Sequence, residues 1–571
     1  MKNLIPVLLV LFIPATLFSQ SFDEALGHFR AERYTEAATL FSQLEDERSS
    51  LFAGKSYLSL FEYTLANSYL YRAYQTADDS RIREEAAYSL GQSHFHLKNF
   101  DKSLEYLHQL IESDNRTGLR NDARRLYFQI LDYLSRSQRF DTLFRLQNPS
   151  VRYDLTLRSR SFLDSDSFQL LVDELIKMTS DEREKMRLKN ELSRSQSSRS
   201  VISSFPIAPI GTVYHVGVIL PEFDENDPEF SISRNLYFGM LLAAEDLNSR
   251  NIDQKVKLSF RNSAENTDTT ARAFIDLVAA HKADAIIGPL FSEPASRLAS
   301  LSEEFQIPMI APLANSDQLN RDYNYTFQIN PTFEMHGRAM ARFAVQELRL
   351  DTLAIITEKD SPSRLAALGF RHEAEKLGAH ISYYIDEDFA STGYDLTDVM
   401  EVFTTDQTLT DSLRIVSSKA VYAPFTGQAS TTLMNLMLND LEARGNNPVI
   451  LGGADWESAE LTPFQERYFQ IYYTSTGVPT AYRPSEEFFI EDYRSRFGLE
   501  PDYFSRIGYD TATYLFNSLE RAGNPVYLTR ALRTGSIYHG FGTSIHFNEG
   551  RINQRLHIHP LSESAKNRLN R

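Results

Sequence analysis

The sequence contains no cysteine, and this absence excludes several kinds of chemistry at once. Without a thiol the chain has no disulfide, no thiolate metal site, no cysteine nucleophile and no lipidated N-terminal cysteine. It also lacks a phosphate-binding loop, a dinucleotide-binding glycine run, an HExxH motif and a serine nucleophile elbow. The sequence therefore predicts a protein that is not an enzyme and that needs no cofactor.

Tryptophan and positive charge are also scarce. Trp456 is the single tryptophan in 571 residues, and 76 acidic side chains outweigh 59 basic ones to give a net charge of -17. Such a charge repels phosphate backbones and anionic lipid, so the chain is not expected to bind nucleic acid. The length exceeds what one hydrophobic core normally serves, which predicts two or three domains.

Long apolar runs are missing except at the N-terminus. There a cation at Lys2 precedes the apolar stretch Leu4–Phe18, which Pro6 and Pro14 interrupt. The stretch is too short and too broken for a membrane helix and ends in small or polar residues, which is typical of a secretory signal peptide over residues 1–20. The mature chain is then expected to have no membrane span and to be exported to a bacterial periplasm.

Residues 21–145 show a recurring pattern of paired helices. The aromatic residues Tyr34, Tyr63 and Phe100 recur at a spacing near 34 residues, with small residues where paired helices touch. This pattern resembles the tetratricopeptide repeat family, with a degenerate fourth copy around Tyr133–Phe144; an ordinary helical bundle is the alternative. Repeats of this kind predict a docking surface for a protein partner.

From residue 213 onward short apolar runs alternate with amphipathic helical segments. The runs include "YHVGVIL", "DAIIG", "IPMIA", "TLAIIT", "AVYAP" and "PVILGG". Strands that alternate with helices form parallel sheets covered on both faces, so a doubly wound α/β class is predicted. Residues 146–212 between the two regions are predicted to be a helical and Ser/Arg-rich linker.

The order of motifs over Val213–Pro560 resembles the type I periplasmic binding proteins, in particular the leucine/isoleucine/valine-binding group. The matching pieces include "NLYFGMLLAAEDLN", "DAIIGPLFSEPA", "IPMIAPLANSDQL" and "FGTSIHFNEGRINQ". The resemblance implies two lobes joined by three crossovers, which close on a small ligand like a hinged clamp. Lobe one would take about 213–332 and 478–540, lobe two about 333–477 and 541–571, with crossings near Asn330, Thr474 and Gly542.

The same resemblance implies a set of ligand-binding residues. Ser292 and Asn315 match positions that hold a ligand carboxylate, and Leu313 matches a position that offers a backbone group. Phe425 stands at the family's ligand-side tyrosine position, and Asp455, with its neighbour Glu457, offers an acid to an amino group. The family's aromatic–glycine pair after "LAIITEKD" is replaced by "SPSRLAALGF", so either the ligand differs or the cleft no longer holds a small ligand.

Two of these positions have a second interpretation. Ser292 stands where a helix N-cap is needed, so its hydroxyl is equally explained by capping. Trp456, beside Asp455, either packs against a ligand in the cleft or is a core tryptophan. His557 and His559 form an HxH pair that suits a metal, but the run has no acid to complete a set, and no metal site is predicted.

Two functions fit these patterns. The first is a solute-binding protein or receptor for a small amino-acid-like or peptide ligand, whose repeats dock a transporter, a receptor or a cell-wall synthase. The second follows from a resemblance over almost the whole chain to outer-membrane lipoprotein activators of penicillin-binding proteins. That resemblance implies activation of a peptidoglycan synthase through protein contacts, although the lipidated cysteine is missing.

Overall fold

The computed structural model describes residues 15–113, 118–160, 162, 165–194, 205–227, 229–251, 253–391, 393–400, 418–478 and 484–569. Residues 1–14 of the predicted signal peptide lie outside these residues. Contacts divide the chain into two compact units. One runs up to Tyr214 and includes 250–257 and 520–527; the other contains 215–249, 258–519 and 528–571.

The first unit is helical. Its helices are α1 (Ala15–Arg30), α2 (Tyr34–Ser42), α3 (Glu47–Ser59), α4 (Tyr63–Thr76), α5 (Ser80–His96), α6 (Phe100–Ile111), α7 (Gly118–Tyr133), α8 (Arg136–Arg145), α9 (Pro149–Arg158), α10 (Ser165–Met178) and α11 (Glu182–Arg194). The predicted all-α region is confirmed. The aromatic residues of the predicted repeat, Tyr34, Tyr63 and Phe100, are each the first residue of the second helix in a pair.

Glycines allow the paired helices to approach closely. A Cβ on Gly54 of α3 would lie 2.5 Å from Cγ of Leu70 on α4. A Cβ on Gly91 of α5 would lie 2.7 Å from Cγ of Leu107 on α6, at the same place in the next pair. Both leucines are buried, so each glycine provides the space that a neighbouring leucine fills.

The predicted linker over 146–212 contains α9, α10 and α11. Tyr153, Phe168 and Leu188, one from each helix, form a small apolar core with their neighbours. The Ser-rich stretch 195–204 lies outside the described residues.

Two sheets organise the α/β region. Their strands are β1 (Thr212–Leu220), β2 (Gln254–Asn262), β3 (Ala285–Ile287), β4 (Met309–Ala311), β5 (Thr326–Gln328), β6 (Thr352–Glu358), β7 (His380–Glu387), β8 (Ala420–Ala423), β9 (Val449–Gly452), β10 (Ile471–Ser475) and β13 (His557–Pro560). The orders are β2-β1-β3-β4-β5 and β13-β10-β9-β8-β6-β7. β11 (Tyr538–His539) and β12 (Ser544–Ile545) form a separate antiparallel pair.

The pairings recorded for β1, β3, β4 and β5 are parallel, as are those among β6 to β10. β13 alone runs antiparallel to its neighbour β10 in the second sheet. The predicted α/β class is confirmed. We call the part built on the first sheet lobe one and the part built on the second sheet lobe two.

Helices flank both sheets. They are α12 (Phe230–Arg250), α13 (Thr267–Ala279), α14 (Ser292–Phe305), α15 (Phe333–Arg342), α16 (Ser363–Lys376), α17 (Thr397–Met400), α18 (Ser430–Ala443), α19 (Pro463–Tyr468), α20 (Pro484–Phe497), α21 (Tyr503–Ala522), α22 (Leu528–Arg533) and α23 (Glu563–Leu569). Among the described helices, none combines the length and the hydropathy that a membrane crossing requires.

Two glycine contacts position the helices that reach the cavity. On α15, a Cβ on Gly337 would lie 1.9 Å from the carbonyl oxygen of Ala366 on α16. On α21, a Cβ on Gly508 would lie 2.0 Å from the carbonyl oxygen of Leu236 on α12. Any larger side chain would push these backbones apart, so glycine fixes α15 against lobe two and α21 against lobe one.

Candidate functional site

A cavity of about 530 Å³ lies between the strand ends of the two lobes. On the lobe-one side, Leu313 and Asn315 follow β4, and Asn330 follows β5. Side chains beyond the carboxyl ends of parallel strands commonly form ligand sites in open α/β sheets. Asn330 donates a hydrogen bond from Nδ2 to the carbonyl oxygen of Leu313 at 2.8 Å, whereas the side-chain amide of Asn315 has no hydrogen-bond partner among the described residues.

On the lobe-two side the cavity is acidic. Asp455 and Glu457 lie in a 3-10 turn, Ala454–Ser458, that follows β9. Oδ2 of Asp455 accepts a hydrogen bond from the backbone N–H of Gly427 at 2.9 Å, while Glu457 is exposed. The described lining residues include no lysine or arginine, so the wall is suited to a positively charged group.

His336 on α15 lines the cavity, and the sequence interpretation missed it. Its Nδ1 lies 2.8 Å from Oγ1 of Thr474, and burial lowers the pKa of His336 to about 4, so the imidazole is neutral at pH 7. A neutral imidazole offers one donor and one acceptor without charge. The available signal was a histidine on the buried face of α15, between Met335 and Gly337.

Tyr503 at the start of α21 is the second residue that the sequence did not indicate. Its hydroxyl lies 3.1 Å from Oγ1 of Thr476, and both residues line the cavity. Thr476 follows β10, so this contact links a segment that leaves lobe two to a helix that packs on lobe one. No motif marks Tyr503 in a sequence with 29 tyrosines, because its role depends on where α21 is packed.

The structure separates the predicted site residues into two groups. Leu313, Asn315, Phe425 and Asp455 all line the cavity. Ser292 does not: it is the first residue of α14 and lies outside the lining. The capping interpretation of Ser292 is wrong, because Phe291 occupies the N-cap position and no side chain among the described residues caps the helix there.

Trp456 belongs to the core of lobe two. Its side chain is fully buried, and its Nε1 donates a hydrogen bond to the carbonyl oxygen of Ala423 at 2.7 Å. Gly452 provides the room, since a Cβ there would lie 2.4 Å from the indole ring. The indole therefore supports the turn that carries Asp455 and is not part of the cavity wall. Phe425 lines the cavity but is itself fully buried, with its ring packed edge-on against Phe389.

The two histidines of the HxH pair lie on β13, at the edge of the lobe-two sheet. Their ring centroids are 6.3 Å apart, and the ring of His559 is stacked on Tyr473 at 5.4 Å. Within the described part of the chain, no group of three or more potential ligand side chains is arranged to hold a metal ion.

The chain matches a known protein family and is similar to several solved structures. A family model described as "Periplasmic binding protein" matches residues 231–563. Similar solved structures include a leucine-binding protein from Thermotoga maritima, with 20% identity, a TM-score of 0.39, and coverage of 62% of this chain and 96% of that chain. An ABC transporter substrate-binding protein from Desulfitobacterium hafniense in complex with Leu has 17% identity, a TM-score of 0.44, and coverage of 62% and 98%.

A solute-binding protein from Rhodopseudomonas palustris in complex with p-hydroxybenzoic acid has 16% identity, a TM-score of 0.42, and coverage of 61% of this chain and 92% of that chain. The match of the family model spans more than half of the chain and carries the family assignment.

Proposed function

Because the chain belongs to the periplasmic binding protein family, we propose that it is an exported, non-catalytic binding protein whose interlobe cavity takes a small amino-acid-like or peptide ligand. The observation that carries the proposal is the placement of opposite chemistries across the cavity. Asp455 and Glu457 lie on the lobe-two wall, and the unpartnered amide of Asn315 lies on the lobe-one wall.

Each wall suits one end of such a ligand. The two carboxylates attract an ammonium group, and an amide N–H donates to a carboxylate at the carboxyl edge of the lobe-one sheet. The neutral imidazole of His336 adds a polar contact without a charge that would compete with the ligand. A volume of about 530 Å³ falls in the usual range for small-molecule sites, roughly 300–1,000 Å³.

The first test is native mass spectrometry of the purified mature chain, followed by calorimetry with the ligand that it carries. The double variant Asp455→Asn, Glu457→Gln should weaken binding about ten- to a hundred-fold, because it removes both acceptors for the ammonium group. Glu460→Gln is the matched control, since Glu460 is exposed and does not line the cavity. A chain that carries no ligand and binds no amino acid or dipeptide contradicts the proposal.

The helical unit supports a second part of the proposal, the docking of a protein partner. Its paired helices, with glycines at the close contacts, form the kind of stacked surface that repeat proteins use for recognition. The same helices favour the second candidate, a periplasmic activator of a peptidoglycan synthase. Capture of a penicillin-binding protein by the mature chain, with a rise in synthase activity on addition of the chain, supports this candidate; capture of a transporter subunit supports the first.

A further inference from the structure

Lobe one contains a second cavity, of about 230 Å³, that shares no lining residue with the interlobe cavity. It lies beyond the end of β1, beside the first two turns of α12 and close to Phe260 near the end of β2. Phe230, Ser233, Arg234 and Tyr237 all line it, and their spacing of three, four and seven residues places them on one face of α12.

The walls of this second cavity are largely aromatic. Phe223, Phe230, Tyr237 and Phe260 contribute rings, and the rings of Tyr237 and Phe260 lie with centroids 5.1 Å apart. Rings arranged at an angle in this way accept a further flat apolar group against a face or an edge. A ring-bearing ligand fits these walls.

Arg234 brings a positive charge with free donors into the cavity. Its Nε donates to Oδ1 of Asn235 at 3.0 Å, and Asn235 is held in turn by its donation to Asp502 at 2.8 Å. The two terminal guanidinium nitrogens have no hydrogen-bond partner among the described residues. A guanidinium held at Nε, with its terminal nitrogens open, presents the planar fork that matches a carboxylate.

Ser233 provides an independent sign that something polar belongs in the cavity. Ser233 is only 7% exposed, and its Oγ has no hydrogen-bond partner within the described part of the chain. A buried hydroxyl without a partner costs free energy, which a ligand acceptor beside Arg234 would recover. The hydroxyl of Tyr237 is likewise without a recorded partner in the described structure.

Glu222 gives the same cavity a negative charge. Its Oε2 accepts a hydrogen bond from Nδ2 of Asn262 at 3.3 Å, and it forms no ion pair with Arg234. Further acids, including Asp224 and Asp227, follow in the same loop. Opposite charges that line one aromatic cavity without pairing with each other match a ligand that carries both charges itself.

We propose that this cavity binds an aromatic α-amino acid. The ligand carboxylate accepts hydrogen bonds from Arg234 and Ser233, its ammonium group lies at Glu222, and its ring packs among Phe230, Tyr237 and Phe260. The site is separate from the interlobe cavity and does not depend on the function proposed for that cavity.

The test uses the full mature chain and three probes of one shape, with binding followed by calorimetry. L-phenylalanine carries both charges, 3-phenylpropanoate lacks the amine, and phenethylamine lacks the carboxylate. We expect phenylalanine to bind about tenfold or more tightly than either analogue, since each analogue leaves one charged partner unsatisfied. Equal binding of 3-phenylpropanoate and phenylalanine overturns the proposed role of Glu222 and with it the zwitterionic ligand.

Substitutions of lining residues test whether phenylalanine binds in this second cavity. Arg234→Gln should weaken phenylalanine binding about ten- to a hundred-fold. Arg297→Gln, at an exposed arginine of the same lobe that has no hydrogen-bond or ion-pair partner among the described residues, should leave the binding unchanged. Glu222→Gln, at an exposed position, serves as the second variant and should weaken phenylalanine but not 3-phenylpropanoate. A melting curve of each variant confirms that it is folded.

The interlobe variant Asp455→Asn, Glu457→Gln separates the two cavities. With the interlobe variant, the fluorine NMR signal of bound 4-fluoro-L-phenylalanine should persist. When Arg234→Gln is combined with the interlobe substitutions in one chain, the signal should be lost. If the interlobe variant alone abolishes the signal, or if Arg234→Gln has no effect, the second-cavity proposal is wrong whatever the interlobe cavity binds.

Discussion

Asp510 on α21 accepts a hydrogen bond from the backbone N–H of Gly542 at 2.6 Å. The same carboxylate also accepts from the N–H groups of Phe541 and Thr543, each at 2.9 Å. These donors belong to three successive residues at one of the predicted lobe crossings. Burial raises the pKa of Asp510 to about 6 in spite of the donors, which favour the ionised form. One buried carboxyl group therefore fixes this segment against α21.

The shifted pKa of Asp510 makes the free energy of unfolding depend on pH. Its folded-state pKa of about 6 exceeds the ordinary 3.8, so its stabilising contribution is full below pH 3.8 and is lost as pH rises through 6. Relative to Asp510→Asn, the wild-type free energy of unfolding should fall by about 2 kcal/mol between pH 4 and pH 7. Urea unfolding of both proteins at the two pH values measures this difference, with the exposed Asp492→Asn as control.

His336 should give the opposite slope. Burial lowers its folded-state pKa to about 4 from 6.5, so the unfolded chain binds more protons between these values. Relative to His336→Gln, the wild-type free energy of unfolding should rise by about 3 kcal/mol between pH 4 and pH 7. His380→Gln, at an exposed histidine of β7, is the control. A wild-type-minus-variant difference that stays constant with pH would show that His336 is not buried as described.

The close helix contact at Gly91 predicts a local cost. Gly91→Ala should lower the free energy of unfolding by about 1–3 kcal/mol, because the new Cβ overlaps the side chain of Leu107. Gly27→Ala in α1 is the matched control, since nothing lies within 4 Å of a Cβ there. That substitution should be neutral or stabilising through helix propensity. Thermal unfolding followed by far-ultraviolet circular dichroism compares the two, and equal effects would contradict the helix pairing.

Substitutions at Asn315 and Ser292 should affect the affinity for the proposed interlobe ligand differently. Asn315→Ala should weaken binding about tenfold, since it removes an amide that lines the cavity. Ser292→Ala should leave affinity within about twofold, because Ser292 lies outside the lining. Calorimetry at unchanged melting temperature measures both. An equal loss at Ser292 would mean that its hydroxyl reaches the ligand when the lobes close.

The single tryptophan reports on the core of lobe two. Trp456 is fully buried, so its fluorescence should be emitted at short wavelength and should be quenched slowly by acrylamide. Trp456→Phe should lower the free energy of unfolding by about 1–3 kcal/mol, because the carbonyl of Ala423 loses its buried donor. Phe464→Leu, at a ring that is 49% exposed, should cost far less. Rapid quenching in the folded protein would contradict the core position.

Local patterns predicted much of the fold. Tyr34, Tyr63 and Phe100, the aromatic landmarks of the predicted repeat, each begin a helix, and the apolar runs "DAIIG" and "IPMIA" contain β3 and β4. Helices and buried parallel strands depend on residues near in sequence, so periodicity and turn residues are sufficient to indicate them. Short strands that are less apolar, such as β5 and β13, have weaker patterns, and the sequence does not predict them as strands.

The composition of the site was decided by packing. Leu313, Asn315 and Asp455, which the family resemblance proposed, line the cavity, and each follows a recognisable strand, which is a local property of the sequence. His336 and Tyr503 join them only because glycines let α15 and α21 approach their neighbours closely enough. The sequence did not decide whether the side chain of Trp456 lies in the cleft or in the core. The direction of a side chain depends on what the rest of the chain packs around it, and here Gly452 leaves the room that the indole fills. Sequence therefore determined the elements and their order, while tertiary packing decided which side chains face the cavity, because contacts between distant segments leave no periodic signal along the chain.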